Sequence, residues 1–180
     1  MNALWWAAGT ALLAALAWGS GDFTSGLMAR RAGSLRAVLW GYTFGLIILV
    51  GMALLRGEPL SSPADLIWGA LAGLMGMLGL GFLLKGFATG RMGVVAPVSA
   101  VLSAMLPVAF HALTREWPGP LQLVGFGVAL VGIWLLSRPE RLGRRPEGLG
   151  LAILAGLGFG SFFVLLDQVS ADAQFWPLVA

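Results

Sequence analysis

The 180-residue chain contains no cysteine and a single histidine, His111, and only 11% of its residues are charged. Without cysteine the chain can form neither a disulfide nor a thiolate metal site. One histidine also leaves little basis for a histidine metal centre or a Ser/His/Asp triad. The sequence therefore predicts no metal site, no cofactor and no catalytic residue.

Hydrophobic residues make up 58% of the chain, and its mean hydropathy is +0.88. A soluble domain is roughly 45–50% apolar and about 25% charged. The composition thus indicates an integral membrane protein whose main partner is the lipid bilayer. The 11 basic residues lie in short clusters between apolar runs, a pattern that reflects membrane orientation rather than nucleic-acid binding.

Six apolar runs predict an all-α polytopic membrane protein with six transmembrane helices. Most runs approach the ~20 residues that span a hydrocarbon core, and they are too continuous for barrel strands. The predicted helices cover residues 3–28, 36–55, 66–84, 94–113, 121–136 and 149–166.

Two of these runs repeat each other. Residues 9–20 read GTALLAALAWGS and residues 150–161 read GLAILAGLGFGS, an offset of 141 positions. The identical positions are Gly9, Ala11, Leu13, Ala14, Leu16, Gly19 and Ser20. The copies lie in helices 1 and 6, five helices apart in chain order, and an odd offset inverts the second copy relative to the membrane.

The repeat predicts the domain organisation. Residues 1–137 form a first five-helix repeat, residues 138–148 a basic cytoplasmic linker, and residues 149–180 the start of a second repeat. Doubling the offset gives an expected natural length of roughly 282 residues and ten helices, so the rest of the second repeat is an expected partner.

Loop charges predict the orientation. Nine of the eleven basic residues lie between helices 1 and 2, 3 and 4, or 5 and 6, which share one side. The positive-inside rule places them in the cytoplasm and the N-terminus outside. They are Arg30, Arg31, Arg36, Lys85, Arg91, Arg138, Arg141, Arg144 and Arg145.

Small residues recur along helices 3 and 5. Such residues let helix backbones approach closely in lipid, so both helices are predicted to form the scaffold rather than bind a ligand. They are Gly69, Gly73 and Gly76 on helix 3, and Gly125, Ala129 and Gly132 on helix 5.

Asp22 is the ionisable residue that lies deepest within a predicted helix. It falls roughly 9–12 Å inside the helix end, where a carboxylate facing lipid costs several kcal/mol. We expect Asp22 either to contact a substrate or carry a proton, or to pair with an arginine such as Arg36, or to lie close enough to the interface to be hydrated. Trp18, Asp22 and Ser25 follow the spacing i, i+4, i+7 and share a face, with Ser20 and Phe23 alongside.

An aromatic wall with a few polar groups is typical of a small-molecule site, although Trp18 could instead fill the bundle core.

On helix 4, the side chains of Ser99 and Ser103 lie on the same face, and Pro97 and Pro107 can act as hinges that free backbone carbonyls. The serines could line a cavity or bond back to their own helix. Tyr42 on helix 2 needs a partner for its hydroxyl if it is buried.

Several stretches in order resemble the EamA-type permeases of the drug/metabolite transporter superfamily. They are residues 18–23 (WGSGDF), 86–90 (GFATG), 94–99 (VVAPVS), 106–108 (LPV), Glu116 and 121–125 (LQLVG). The resemblance implies two inverted five-helix repeats around a central substrate cavity. It also implies transport of amino acids, other metabolites or drugs without ATP hydrolysis. The cavity positions that it implies here are Trp18, Ser20, Phe23, Ser99, Ser103 and Ser161. Members often keep the N-terminus in the cytoplasm, contrary to the charge pattern.

The expected protein is therefore a multi-pass secondary transporter of the inner (plasma) membrane, not an enzyme, working by alternating access. Its substrate is a small molecule, and a proton carried by Asp22 is a hypothesis for coupling. One alternative is a membrane scaffold subunit that transports nothing. Another is an intramembrane aspartyl protease, because residues 19–22 match GxGD and Asp167 could supply a second carboxylate. That protease would also need a tyrosine-aspartate on an earlier helix and a Pro-Ala-Leu motif, which the chain lacks.

Overall fold

The computed structural model describes residues 2–114, 117–137, 148–170 and 172–180. These residues form helices and connecting turns without any strand, so the all-α prediction is confirmed. The helices are α1 (Asn2–Ala32), α2 (Ser34–Arg56), α3 (Pro63–Thr89), α4 (Met92–Thr114), α5 (Pro120–Ser137), α6 (Leu149–Leu166) and α7 (Trp176–Val179).

Four helices, α2, α3, α4 and α6, are long and apolar enough to cross a membrane within the described part of the chain. Helix α5 contains a shorter apolar segment, Pro120–Gly132. The six predicted helices are all present, but only these four meet the requirement for a span on the described residues. Most of the predicted linker, residues 138–147, lies outside those residues, and the domain division stays a prediction.

Two helix ends differ from the predicted ones, and a glycine or a capping serine lies at each of them. Helix α1 runs four residues past its predicted end at Met28 and stops at Gly33, whose φ of 91° is readily adopted only by glycine. Helix α3 begins three residues earlier than predicted because Ser62 caps it, its Oγ accepting a 3.2 Å hydrogen bond from the Asp65 N–H.

Helix α6 lies between α3 and α4 and forms the centre of the packing. It is antiparallel to α3, because Leu151 lies beside Gly86 and Phe162 beside Gly76. It is parallel to α4, because Gly148 lies beside Val95 and Gly160 beside Leu106. Helix α1 packs on α2 and α3, and α5 packs on α4.

The backbones of α3 and α6 approach each other most closely at two glycines. A Cβ added to Gly158 would lie 2.7 Å from the Gly79 Cα and 2.8 Å from the Gly79 N. Helix α3 therefore has the scaffold role that its glycines predict. On α5, a Cβ on Gly125 or Gly132 would meet nothing within 4 Å among the described residues, so the scaffold role of α5 stays a prediction.

The bundle has two chemically different ends. At the first, the Arg30 guanidinium donates to the backbone carbonyls of Phe87 (2.7 Å) and Gly90 (3.2 Å), where a cation suits the C-terminus of α3. We call this the basic end; it comprises residues 30–36, 85–91 and 148. The opposite, acidic end comprises residues 56–65, 111, 167–170 and 172–177, including four carboxylates: Glu58, Asp65, Asp167 and Asp172.

At the acidic end, the segment after α6 is held on the start of α3 by one carboxylate. Ser170 donates its backbone N–H to Asp65 Oδ1 at 2.9 Å and its hydroxyl to Asp65 Oδ2 at 2.7 Å. Asp65 is 7% exposed and also accepts a hydrogen bond of 2.7 Å from the Ser62 hydroxyl. The sequence offers no sign of this role, because Asp65 accepts from a residue 105 positions away.

A second carboxylate extends this attachment to α7. Glu58 accepts the backbone N–H groups of Gln174 (2.8 Å) and Phe175 (3.0 Å), and its carbonyl accepts the Trp176 indole N–H at 2.9 Å. The Pro177 backbone then packs directly on Gly69 of α3. We call the hydrogen bonds of Asp65 and Glu58 to residues 170–176 the acidic clip.

The contact between α3 and α6 gives a first prediction. Gly158→Ala should lower the melting temperature of the detergent-purified protein, because the new methyl overlaps the Gly79 backbone and overpacking costs about 1–3 kcal/mol. The matched control is Gly81→Ala, whose Cβ meets nothing within 4 Å, so it should leave stability unchanged or raise it. Equal melting temperatures for the two variants would contradict the close approach.

The acidic clip gives a second prediction. Asp65→Asn replaces one acceptor oxygen with a donor, leaving a Ser170 donor unmatched, and should destabilise the attachment by about 1–3 kcal/mol. Hydrogen exchange of amides 170–176 should speed up, while exchange along α4 stays unchanged. Asp172→Asn is the control, because Asp172 is exposed and should have no such effect. Unchanged exchange in the Asp65 variant would refute the clip.

Candidate functional site

One face of α1 combines the predicted aromatic and acidic residues with a packing contact. Trp18, Asp22 and Gly26 repeat every four residues and therefore share a face. Gly26 is buried against Phe87 of α3, whereas Trp18 is 72% exposed. Asp22 lies one turn from the Phe87 contact and is half-buried. This face of α1 is therefore packed against α3 at Gly26 and exposed at Trp18.

The remaining α1 candidates lie beside this face and are exposed. The Ser20 hydroxyl donates to the Ala17 carbonyl at 2.9 Å, and Phe23 is 58% exposed. In α2, Tyr42 is 41% exposed, so its ring is not enclosed by the described helices. All three side chains are exposed, while α1 packs mainly on α2 and α3 and meets Met92 of α4 at Gly26.

The α4 serines bond within their own helix. Ser99 Oγ donates to the Ala96 carbonyl at 2.9 Å, and Ser103 Oγ donates to the Ala100 carbonyl at 2.8 Å. This is the back-bonding alternative, and it leaves each hydroxyl oxygen with a free acceptor lone pair. Ser99 is buried, and its backbone packs on Gly156 of α6.

Both predicted hinge prolines lie inside a continuous α4. Proline has no N–H, so Pro97 removes the bond to the Gly93 carbonyl and Pro107 the bond to the Ser103 carbonyl. Hinge motion stays a prediction. The Ser103 carbonyl lacks the usual donor four residues later, because that residue is Pro107.

The predicted site residues therefore fall into two groups. The first, the α1–α2 group, is Trp18, Ser20, Asp22, Phe23 and Tyr42. The second, the α4–α6 group, is Ser99, Ser103 and Ser161, on two helices that pack together. The structure brings the members of the second group onto one helix pair, but it does not enclose both groups in one cavity.

The two carboxylates of the protease alternative lie at different levels of the bundle. Asp22 lies in the interior of α1, whereas Asp167 ends α6 at the acidic end, where its Oδ2 lies 3.5 Å from His111 Nε2. At 1.5 Å per residue, the two levels differ by on the order of 10 Å along the helix axes. The structure thus gives no dyad that could share a proton.

Two surface depressions lie at or beside the acidic end. One, of about 300 Å³, is lined by Pro107, Val108, His111, Trp117, Pro118 and Gln122. A second, of about 240 Å³, is lined by residues 56–59 together with Asp172, Gln174 and Phe175. Pro107, which we predicted as a hinge, is among the residues that line the first depression. Among the described residues, there is no cluster of three or more histidine or acidic side chains that could hold a metal ion.

Comparison with known proteins agrees with the resemblance seen in the sequence. The sequence model of the EamA-like transporter family matches residues 5–138, which run from α1 to the end of α5. No curated protein and no solved structure gives a significant match. Because the family match covers well over half of an all-helical, apolar chain, the chain belongs to the EamA-like transporter family, within the drug/metabolite transporter superfamily.

Proposed function

We propose that the protein is a secondary transporter that moves a small metabolite, amino acid or drug across the inner (plasma) membrane by alternating access. The observation that carries this proposal is the family match over all five helices of the first repeat. The four helices that could span a membrane support a multi-pass location.

The two groups of site residues suit opposite walls of a substrate path. The α1–α2 group supplies aromatic rings and a carboxylate, and the α4–α6 group supplies hydroxyl oxygens and the Ser103 carbonyl. Small-molecule sites combine apolar walls with a few polar groups in this way. Alternating access then consists of the two groups approaching and separating around a bound substrate, with Pro97 and Pro107 as hinges.

Asp22 is the residue that we assign to coupling. It is the only acidic residue in the interior of the six long helices, since Asp65 lies in the first turn of α3. A carboxylate within the membrane is rare and characteristically serves a substrate, ion or proton path. Asp22 lies one turn from Gly26, which packs on Phe87, and it is half-buried. It is therefore still accessible on the face of α1 that it shares with Trp18.

Replacing this carboxylate tests the coupling. In proteoliposomes with an imposed pH gradient, uptake by the protein with its complete second repeat is measured for a panel of amino acids, nucleosides and aromatic drugs. Asp22→Asn should keep substrate binding but lose the acceleration by the gradient, because the amide cannot carry a proton. Asp172→Asn, at an exposed position of the acidic end, should behave as the unmodified protein.

Two outcomes would count against the proposal. Gradient-driven uptake that survives Asp22→Asn would remove Asp22 from coupling while leaving transport intact. If the unmodified protein took up no compound of a broad panel but remained folded, the scaffold alternative would be favoured instead.

Orientation is tested by labelling single cysteines, which the cysteine-free chain allows without background. We expect Leu60→Cys, at the acidic end, to react with a membrane-impermeant maleimide on intact cells. Thr89→Cys, at the basic end, should react only after permeabilisation, because positively charged loops stay in the cytoplasm. Both positions are exposed, so both should react after permeabilisation. The reverse pattern would place the N-terminus inside.

A further inference from the structure

The basic end of the bundle holds more positive charge than the chain balances there. Its segments 30–36 and 85–91 contain five basic residues and no acidic one. Residues 138–147 add four arginines and only two glutamates, so the linker sequence is basic as well. The described residues of the acidic end, by contrast, contain four carboxylates and a single arginine, Arg56.

One of the five cations is already used inside the protein. The Arg30 guanidinium donates to the carbonyls of Phe87 at 2.7 Å and Gly90 at 3.2 Å. Both carbonyls lie at the C-terminal end of α3, so the charge of Arg30 faces the negative end of that helix dipole. Arg30 is therefore a structural cation that joins α1 to α3.

Three other cations have no such partner. Arg31 at the end of α1, Arg36 in the first turn of α2 and Lys85 near the end of α3 are exposed. Their side chains form neither an ion pair nor a hydrogen bond within the described part of the chain. We call these three the open cations. Like charges at one end of a bundle repel each other, so an anion bound there would lower the repulsion.

The surface of α2 next to Arg36 is apolar and exposed. Leu39 and Trp40 follow Arg36 by three and four residues and therefore share its face; they are 58% and 53% exposed. Trp40 stacks on Phe44, with 5.7 Å between ring centroids. Tryptophan favours the level of the membrane interface, and four helical residues rise about 6 Å. Arg36 is thus expected among the lipid headgroups, one turn outside a surface that suits acyl chains.

We propose that the open cations bind the headgroup of an anionic phospholipid, whose acyl chains lie along Leu39 and Trp40 of α2. The inference requires that these helices span a membrane. It does not depend on transport activity or on any substrate.

The choice of a lipid follows from the charged and apolar surfaces lying side by side. A phosphodiester oxygen accepts strong hydrogen bonds from guanidinium and ammonium groups. A free phosphate would satisfy the open cations but would leave Leu39 and Trp40 uncovered, whereas a phospholipid covers both surfaces. Clusters of basic residues beside membrane-spanning helices recognise anionic headgroups in this way.

Thermal stability with defined lipids tests the proposal. Detergent-purified protein is melted with added phosphatidylglycerol, or with phosphatidylcholine that carries the same acyl chains. Phosphatidylglycerol should raise the melting temperature by about 3 °C or more above phosphatidylcholine, because it alone brings a net negative charge. In 1 M salt, where the screening length is about 3 Å, this difference should disappear.

Three variants assign the effect to particular residues. The double variant Arg31→Gln, Arg36→Gln should lose at least half of the difference between the two lipids. The matched control is Arg56→Gln, which removes one exposed arginine from the opposite end and should keep the whole difference. Arg30→Gln should lower the melting temperature by a similar amount in both lipids, because it breaks hydrogen bonds within the protein.

Three outcomes would overturn the proposal. Equal melting temperatures with the two lipids would mean that the basic end does not select an anionic headgroup. An equal rise with inorganic phosphate at the same concentration would identify a free anion as the ligand. A loss in Arg56→Gln as large as in the double variant would show that the effect follows net charge rather than the basic end.

A count of bound lipid keeps the proposal testable if the double variant does not accumulate. The unmodified protein is taken from micelles that contain equal amounts of both lipids, and retained lipid is measured by native mass spectrometry. Phosphatidylglycerol should be retained in excess, and Lys85→Gln should reduce this excess while Arg56→Gln does not. Equal retention of the two lipids by the unmodified protein would refute the site.

Discussion

The close approach of α3 and α6 at Gly79 and Gly158 is the constraint on which the rest of this bundle depends. A side chain at either position would hold the backbones apart, because each Cβ would meet the other helix at about 3 Å or less. With the two backbones this close, α6 can bury its other small residues against α4. Hydrophobic burial gives no drive between helices in lipid, so this contact between backbones determines which helices become neighbours.

Much of this fold could be predicted from the sequence because helix composition and repeat spacing are local signals. The apolar runs locate all six long helices, and the glycines of α3 indicate its scaffold role. Helix ends were less predictable, since Gly33 and Ser62 decide them by backbone conformation and capping rather than by charge. The short α7 has no periodic signal, although its proline in the first turn is a typical helix start.

The candidate site was predictable as a set of residues but not as an arrangement. Spacing alone shows that Trp18 and Asp22 share a face and that Ser99 and Ser103 share another. It cannot show that α1 packs on α3 while α4 packs on α6, because those pairings come from tertiary contacts between distant positions. The acidic clip was missed for the same reason: Asp65 and Ser170 carry no common motif, and only folding makes them partners.

The acidic clip and the glycine contact together restrict how the bundle can move. The acidic clip joins the segment after α6 to the start of α3, and the glycine contact holds the two helices together near their middle. Separating them would break several hydrogen bonds and expose two backbones, so movement of α3 and α6 as one body is the less costly course. The exposed stretch of α1, residues 11–20, lies outside both contacts, and a displacement of this stretch would leave both of them intact.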